Sequence, residues 1–172
     1  MTRVVNNGVG TAGTTGQFPI ISEWLGITQE MIEQFGTITL DPDPMHMDVE
    51  WAREHSPFGG TVAYGFLTVS LLSHLFNNAR KGCADSPYAM PGAAYVNYGF
   101  DKLRLVRPVR TGVRIRGHFA LLSGTGRTRE GHKILKLACH VEIEGLLEPA
   151  LVGEWLIVGV SSGPHPNGDR PS

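Results

Sequence analysis

The chain has 172 residues, of which 41% are hydrophobic and 18% are charged, and its formal net charge is −1. This length predicts one domain with a core of its own, and the nearly neutral charge excludes a strong electrostatic attraction to nucleic acid or to an anionic membrane. No apolar run reaches the length of a membrane span, and no secretory signal is recognisable at the N-terminus, so we expect a cytoplasmic protein without a membrane partner.

The two ends of the chain differ in composition from its middle. Residues 1–17 are rich in Gly, Thr and Asn and show no apolar periodicity, which predicts a flexible N-terminal arm. Its glycines are no dinucleotide-binding fingerprint, because no strand precedes them and no helix follows. Residues 161–172 are rich in Pro and Gly and predict a disordered tail. We therefore expect a single domain over residues 18–160.

Two short helices are predicted early in the domain. Thr28 is a suitable N-cap for an amphipathic helix that ends near Gly36. Asp48 is expected to cap a second helix, Val49 to His55, which the following Ser-Pro pair ends.

The segment between these helices, from Leu40 to Asp48, carries the residues with the clearest chemistry. Its two prolines, Pro42 and Pro44, disfavour a helix and push the aspartate before each of them towards an extended conformation. A turn or extended segment is therefore predicted, in which Asp41 and His46 can converge on one water molecule. A carboxylate and an imidazole on one water are suited to general acid–base chemistry. A simple turn with a surface histidine has the same spacing.

The second half of the domain predicts one helix followed by strands. Thr61 to Ala79 is apolar on nearly all sides and predicts a long buried helix. A loop is expected over residues 77–91. Alternating apolar residues then predict four strands: Ala94 to Val106, Val113 to Leu122, Lys133 to Ile143 and Glu154 to Val160.

The links between these strands are too short for crossover helices, so the sheet is expected to be antiparallel. The predicted fold is α+β, with a curved antiparallel sheet wrapped around the long helix. Such a sheet leaves an edge that a second subunit would cover, which favours a homodimer. The two cysteines, Cys83 and Cys139, form no metal-binding spacing, and we expect two reduced thiols, no metal site and no cofactor.

At these residues the chain resembles the MaoC-like dehydratases, or (R)-specific enoyl-CoA hydratases, of the hot-dog fold, and in particular their nodulation-protein-N-like branch. The family motif runs roughly Asp-x-Asn-Pro-x-His-x-Asp, and then Gly-Gly-x-Ile-Ala-His-Gly-x-Leu. The matching positions lie between Asp41 and Asp48 and between Gly59 and Leu67. The resemblance covers about residues 20–160.

The resemblance implies a hydro-lyase that adds water to, or removes it from, a trans-2-enoyl thioester of coenzyme A or of an acyl carrier. Asp41 and His46 would hold the water, and the backbone N–H of Gly65 would bind the thioester oxygen as an oxyanion hole. Tyr64, Asp43 and Ser73 would contact the substrate. For Ser73, a hydroxyl that bonds back along its own helix is an equal alternative.

The chain departs from the family motif at three positions: Tyr64 replaces the usual His, Asp43 replaces Asn, and Leu40 replaces the Gly before the aspartate. Three other functions therefore stay open: a non-catalytic subunit that binds acyl thioesters, a thioesterase, and a dehydratase or cyclase of secondary metabolism. Several arginines could meet a coenzyme A phosphate or could equally be solvated strand positions, namely Arg104, Arg107, Arg110, Arg114 and Arg116.

Overall fold

The computed structural model describes residues 20–81, 88, 93–122, 126–127 and 132–161. The predicted arm over 1–17, Cys83, and the tail beyond Ser161 lie outside these residues. In chain order the elements are β1 (Ile20–Ile21), β2 (Leu25–Gly26), α1 (Gln29–Thr39), α2 (Pro44–Met47), α3 (Val49–His55), α4 (Gly65–Ser70), α5 (Leu72–Ala79), β3 (Ala93–Leu105), β4 (Arg114–Leu121), β5 (Lys133–Ile143) and β6 (Leu151–Ser161).

The strands of the described residues form one antiparallel sheet in the order β1-β4-β5-β6-β3, with β2 also paired to β4. The four predicted strands are confirmed as β3 to β6. However, β6 begins three residues before the predicted Glu154 and includes Ser161, where the tail was expected to start. The sequence does not predict β1 and β2, because two residues cannot show an alternating pattern.

The alternation in β4 and β5 buries one face of the sheet. The buried residues are Ile115, Gly117, Phe119 and Leu121 in β4, and Leu135, Leu137, Cys139, Val141 and Ile143 in β5. A side chain at Gly117 would come within 2.9 Å of Cβ of Leu75, so glycine is needed where α5 crosses the sheet closely. Around Phe76 of α5, the rings of Phe119 and Trp155 pack edge to face at 5.3 and 5.7 Å.

The long helix predicted from Thr61 begins only at Gly65 and divides into α4 and α5 at Leu71. The residues before Gly65 are extended because they pair with a distant segment: Val62 forms a bridge with Arg110, and Ala63 N–H donates to the Val109 carbonyl at 2.7 Å. No local sequence pattern shows this long-range pairing.

The helix is also less buried than predicted. Leu67, Leu72 and Leu75 are buried, but Phe66 is 70% exposed. The α4 helix therefore packs on the sheet with one face and leaves an apolar side chain on the other. None of the described helices is long and apolar enough to cross a membrane.

The first helix is three residues longer than predicted, since α1 continues to Thr39. Leu40 ends it in a left-handed conformation with φ of 58°, and Asp41 N–H donates to the Gly36 carbonyl at 3.0 Å. This cap fixes the point at which Asp41 leaves the helix. The predicted bounds of α3, and Asp48 as its N-cap, are confirmed.

Candidate active site

The segment from Asp41 to His46 is not wholly extended, because Pro44–Met47 forms the short helix α2. Proline is tolerated in the first turn of a helix, where its missing N–H needs no partner. The Asp43 carboxylate caps this helix by accepting a hydrogen bond from Met45 N–H at 2.8 Å. Asp43, which was expected to contact substrate, thus has a carboxylate oxygen bound to backbone, and His46 sits on a helical turn.

The ring of His46 is held by backbone and by an aromatic side chain. Its Nδ1 lies 2.7 Å from the carbonyl oxygen of Val62. Because a carbonyl oxygen can only accept, Nδ1 carries the hydrogen and donates it. In the neutral imidazole Nε2 is then unprotonated and can accept a proton. The ring of Tyr64 lies against the imidazole, with centroids 3.9 Å apart.

Tyr64 joins the two residues of the predicted pair. Its hydroxyl donates to the backbone carbonyl of Asp41, while its ring contacts His46. Burial raises the pKa of the Tyr64 hydroxyl, and the negative charges of Asp41 and Asp43 raise it further, so the group stays a donor. A Cβ at Gly36 would collide with this hydroxyl, which explains the glycine in α1.

A hydrogen-bonded network of Gln29, Thr61 and Thr111 holds the main chain of His46. The Gln29 amide nitrogen donates to the His46 carbonyl at 2.9 Å. The Gln29 amide oxygen lies 2.7 Å from the Thr61 hydroxyl and 3.1 Å from the Thr111 hydroxyl, which are 2.7 Å from each other. The sequence does not predict this network, because its members are far apart in the chain and each has an ordinary place in a helix or turn.

His46 and Gly65 line one cavity of about 240 Å³. Gly65 is the first residue of α4, so its N–H belongs to the helix end that has no partner within the helix. Thr68, one turn further along α4, lines the same cavity. The remaining walls are mainly apolar and come from Met45, Phe58, Val62, Ala63, Leu105, Val106, Arg107, Pro108, Val109 and Ala150.

A wider groove of about 690 Å³ adjoins this cavity and shares Phe58, Val106, Arg107 and Pro108 with it. Arg110 also lines the groove and donates to the Gly59 carbonyl at 3.0 Å. Within the described part of the chain, Arg110 has no carboxylate partner, whereas Arg107 forms an ion pair with Glu148. Arg110 is therefore the arginine of this groove whose positive charge is not paired with a carboxylate among the described residues.

Two of the other three arginines considered from the sequence form ion pairs with glutamates. Arg114 pairs with Glu144 and Arg116 with Glu142 on the outer face of the sheet. Their contacts fit the interpretation as solvated strand positions.

Four predicted site residues do not line the cavity, namely Asp41, Asp43, Tyr64 and Ser73. Asp41 is exposed, and its backbone carbonyl accepts a hydrogen bond from the Tyr64 hydroxyl. Ser73 lies on α5 beside a separate cavity of about 40 Å³, with its hydroxyl 3.4 Å from the amide nitrogen of Asn97 in β3. The hydroxyl faces a neighbouring strand and not a carbonyl of its own helix.

The sequence is similar to a known protein family and to characterised relatives. A family model described as "MaoC like domain" matches residues 11–140. Nodulation protein N of Rhizobium meliloti is 37% identical over 137 residues, which cover 80% of this chain and 81% of that protein. The 3-hydroxyacyl-thioester dehydratase Z of Mycobacterium tuberculosis is 34% identical over 137 residues, or 79% of this chain and 84% of that protein.

Among solved structures, an (R)-hydratase from A. caviae involved in PHA biosynthesis aligns with a TM-score of 0.62 at 19% identity, covering 86% of this chain and 96% of that one. At this identity the likeness is one of fold. The predicted hot-dog fold, an α+β arrangement of helices on an antiparallel sheet, is confirmed.

Proposed function

Because the chain belongs to the MaoC-like domain family, we propose that it is a hydro-lyase that adds water to, or removes it from, a trans-2-enoyl thioester. The observation that carries the proposal is the shared, mainly apolar cavity, which is lined by both His46, whose Nδ1 is bound to backbone, and Gly65, the first residue of α4. A base and an oxyanion donor in one apolar cavity are what hydration of an enoyl thioester requires.

In the proposed reaction, His46 and Asp41 handle the protons as a coupled pair. Water attacks C3 of the enoyl group and loses a proton to the pair, and C2 gains a proton. The bond from Nδ1 of His46 to the Val62 carbonyl keeps Nε2 available to the water. The bond between Tyr64 and the Asp41 carbonyl supports a fixed separation of the two side chains.

The N–H of Gly65 serves as the oxyanion hole in this proposal. As water adds, negative charge develops on the thioester carbonyl oxygen and is stabilised by a donor aimed at it. Leu71, between α4 and α5, keeps right-handed helical angles of −70° and −13°, so the peptide dipoles of the two helices run on in one direction. Their positive end is at Gly65.

The adjoining groove suits the thioester's carrier. The small apolar cavity would take the acyl group, and the wider groove would take the pantetheine arm. Arg110 would then meet a phosphate of coenzyme A or of a carrier-protein prosthetic group, since a guanidinium binds phosphate oxygens well.

A homodimer is part of the proposal. β3 pairs with β6 on one side only and ends the sheet among the described strands. Exposed apolar side chains lie along it, namely Val96, Tyr98, Leu103 and Leu105, and Phe66 is exposed on α4. An open edge with apolar neighbours is a surface that a second copy would cover.

The proposal is tested by incubating the protein with crotonyl-CoA and with longer trans-2-enoyl-CoAs and following the loss of enoyl absorbance. We expect hydration that depends on His46. Binding of these thioesters without any loss of absorbance would instead favour a non-catalytic subunit that binds acyl thioesters.

A further inference from the structure

The hydroxyl of Thr68 differs from the other hydroxyls of the described helices. Thr37, Thr39 and Ser70 each donate to the carbonyl four residues earlier, at 2.8 Å in every case, and Ser73 lies beside Asn97. A bond to the preceding turn is the usual way in which a helical Ser or Thr satisfies its hydroxyl. Thr68 makes no hydrogen bond through its side chain to any described residue.

This hydroxyl is also buried, since Thr68 is only 4% exposed. A buried hydroxyl without a partner is unfavourable, and such groups in native proteins are nearly always bonded to protein, water or ligand. Because Thr68 lines the cavity that also contains His46 and Gly65, its partner can come from that cavity.

The position of Thr68 on α4 brings it near the proposed oxyanion site. It follows Gly65 by three residues, and residues three apart lie on the same side of a helix. Helical side chains also lean towards the N-terminus, so the Thr68 side chain leans towards the turn that begins at Gly65. A hydroxyl and a backbone N–H can therefore face one ligand atom.

We propose that Thr68 is a second donor of the oxyanion hole, with its hydroxyl and the Gly65 N–H both bound to the thioester carbonyl oxygen. This inference rests on the proposed hydration reaction. A carbonyl oxygen has two acceptor sites and gains negative charge as water adds to C3, so two donors stabilise it better than one. The Thr68 hydroxyl is available for this bond because no described residue accepts a hydrogen bond from it.

The test compares Thr68→Val, Thr68→Ser and Thr37→Val with the unchanged protein, using crotonyl-CoA hydration and thermal unfolding. Valine keeps the shape of threonine and removes the hydroxyl, so kcat should fall by about 10- to 100-fold while KM changes little. Thr68→Ser keeps a hydroxyl and should retain most of the activity. Thr37→Val removes a hydroxyl that its own helix satisfies and should leave kcat unchanged.

Thermal unfolding separates this role from a structural one. Removing a buried hydroxyl that has no partner among the described residues should leave Tm unchanged or raise it by about 2–4 °C. A Thr68→Val variant with unchanged kcat, or with kcat and Tm both lowered, overturns the inference.

The experiments distinguish failure of the role proposed for Thr68 from failure of the proposed hydration reaction. If the unchanged protein hydrates enoyl thioesters and His46→Gln does not, a fully active Thr68→Val variant overturns only the role of Thr68. If the unchanged protein hydrates none of them, the proposed function is overturned and the role of Thr68 with it.

Discussion

At the scale of single residues, the site depends on backbone groups as much as on side chains. The Val62 carbonyl selects the tautomer of His46, the His46 carbonyl is bound by Gln29, and the Asp41 carbonyl is bound by Tyr64. The first bond orients the His46 ring, and the other two hold the main chain at His46 and at Asp41 without using the reactive atoms of their side chains. Tyr64, which stands where the family motif has His, supplies one of these bonds.

The Tyr64 hydroxyl can be tested by a conservative change. Tyr64→Phe keeps the ring against His46 and removes the bond to the Asp41 carbonyl. We expect kcat to fall by about threefold to tenfold and stability by about 1 kcal/mol, the usual net value of a buried hydrogen bond. Activity and urea unfolding measure the two effects. Unchanged kcat with lowered stability would show that the bond supports the fold alone.

The Gly65 N–H can be removed by proline, because proline suits the first position of a helix and the preceding Tyr64 already has a ψ of 137°. A Cβ at Gly65 would collide with the Leu105 side chain, so the matched reference is Leu105→Ala. Relative to Leu105→Ala, adding Gly65→Pro should lower kcat by about 100-fold or more. Equal turnover in the two variants would exclude the N–H as an oxyanion donor.

At the scale of helices and strands, the sequence predicts the bounds of an element where local interactions determine them. The bounds of α3 and β5 follow from the Asp48 cap and from alternation, and both are confirmed. The start of α4 could not be predicted, because Val62 and Ala63 are extended only through pairing with the segment around Val109. The two prolines suggested an extended site loop, but Pro44 begins α2 since Asp43 supplies the cap.

The candidate site likewise contains residues that the sequence predicts and residues that it does not. Asp41, His46 and Gly65 are recognisable from their spacing and from the family motif. Gln29 and Thr68 carry no sequence signal, because one is a first-turn residue of α1 and the other a threonine in an apolar helix. Only the contacts between distant elements give these two side chains a place in the site.

On the outer face of β4 and β5, His140 is expected to make the stability of the fold depend on pH. His118 stacks on His140 with centroids 4.2 Å apart, and Glu142 lies 2.6 Å from His118 Nε2. Partial burial lowers the pKa of His140, the charges of His118 and Arg116 lower it further, and Glu142 opposes them. The unfolded chain therefore binds a proton at His140 more readily than the folded protein, so stability falls as the pH drops below about 6.5.

His140→Gln should reduce the loss of Tm between pH 7 and pH 5.5, because this contribution disappears. Thermal unfolding at the two pH values measures the change, with Leu147→Gln on the nearby turn as a control. An equal loss of Tm in His140→Gln and in the unchanged protein would contradict the assignment.

At the scale of the whole molecule, the sheet ends at β3 and leaves apolar side chains exposed beside the open edge. We expect a dimer with twice the 18.7 kDa chain mass in multi-angle light scattering at micromolar concentration. Val96→Lys combined with Tyr98→Lys should give a monomer, because like charges at the edge oppose strand pairing between two copies. Leu147→Lys, at a fully exposed position away from this edge, should not. A monomeric unchanged protein would count against the dimer.

If Asp41 and His46 act together on a thioester substrate, crotonyl-CoA hydration by Asp41→Asn, by His46→Gln and by the double variant will show it. Each single change should lower kcat by about 100- to 10,000-fold, and the double variant should be little worse than either, since the two residues act as one unit. All three should unfold cooperatively, because the pair contributes little to the core. Single variants that hydrate crotonyl-CoA at the rate of the unchanged protein would exclude the joint catalytic role of Asp41 and His46.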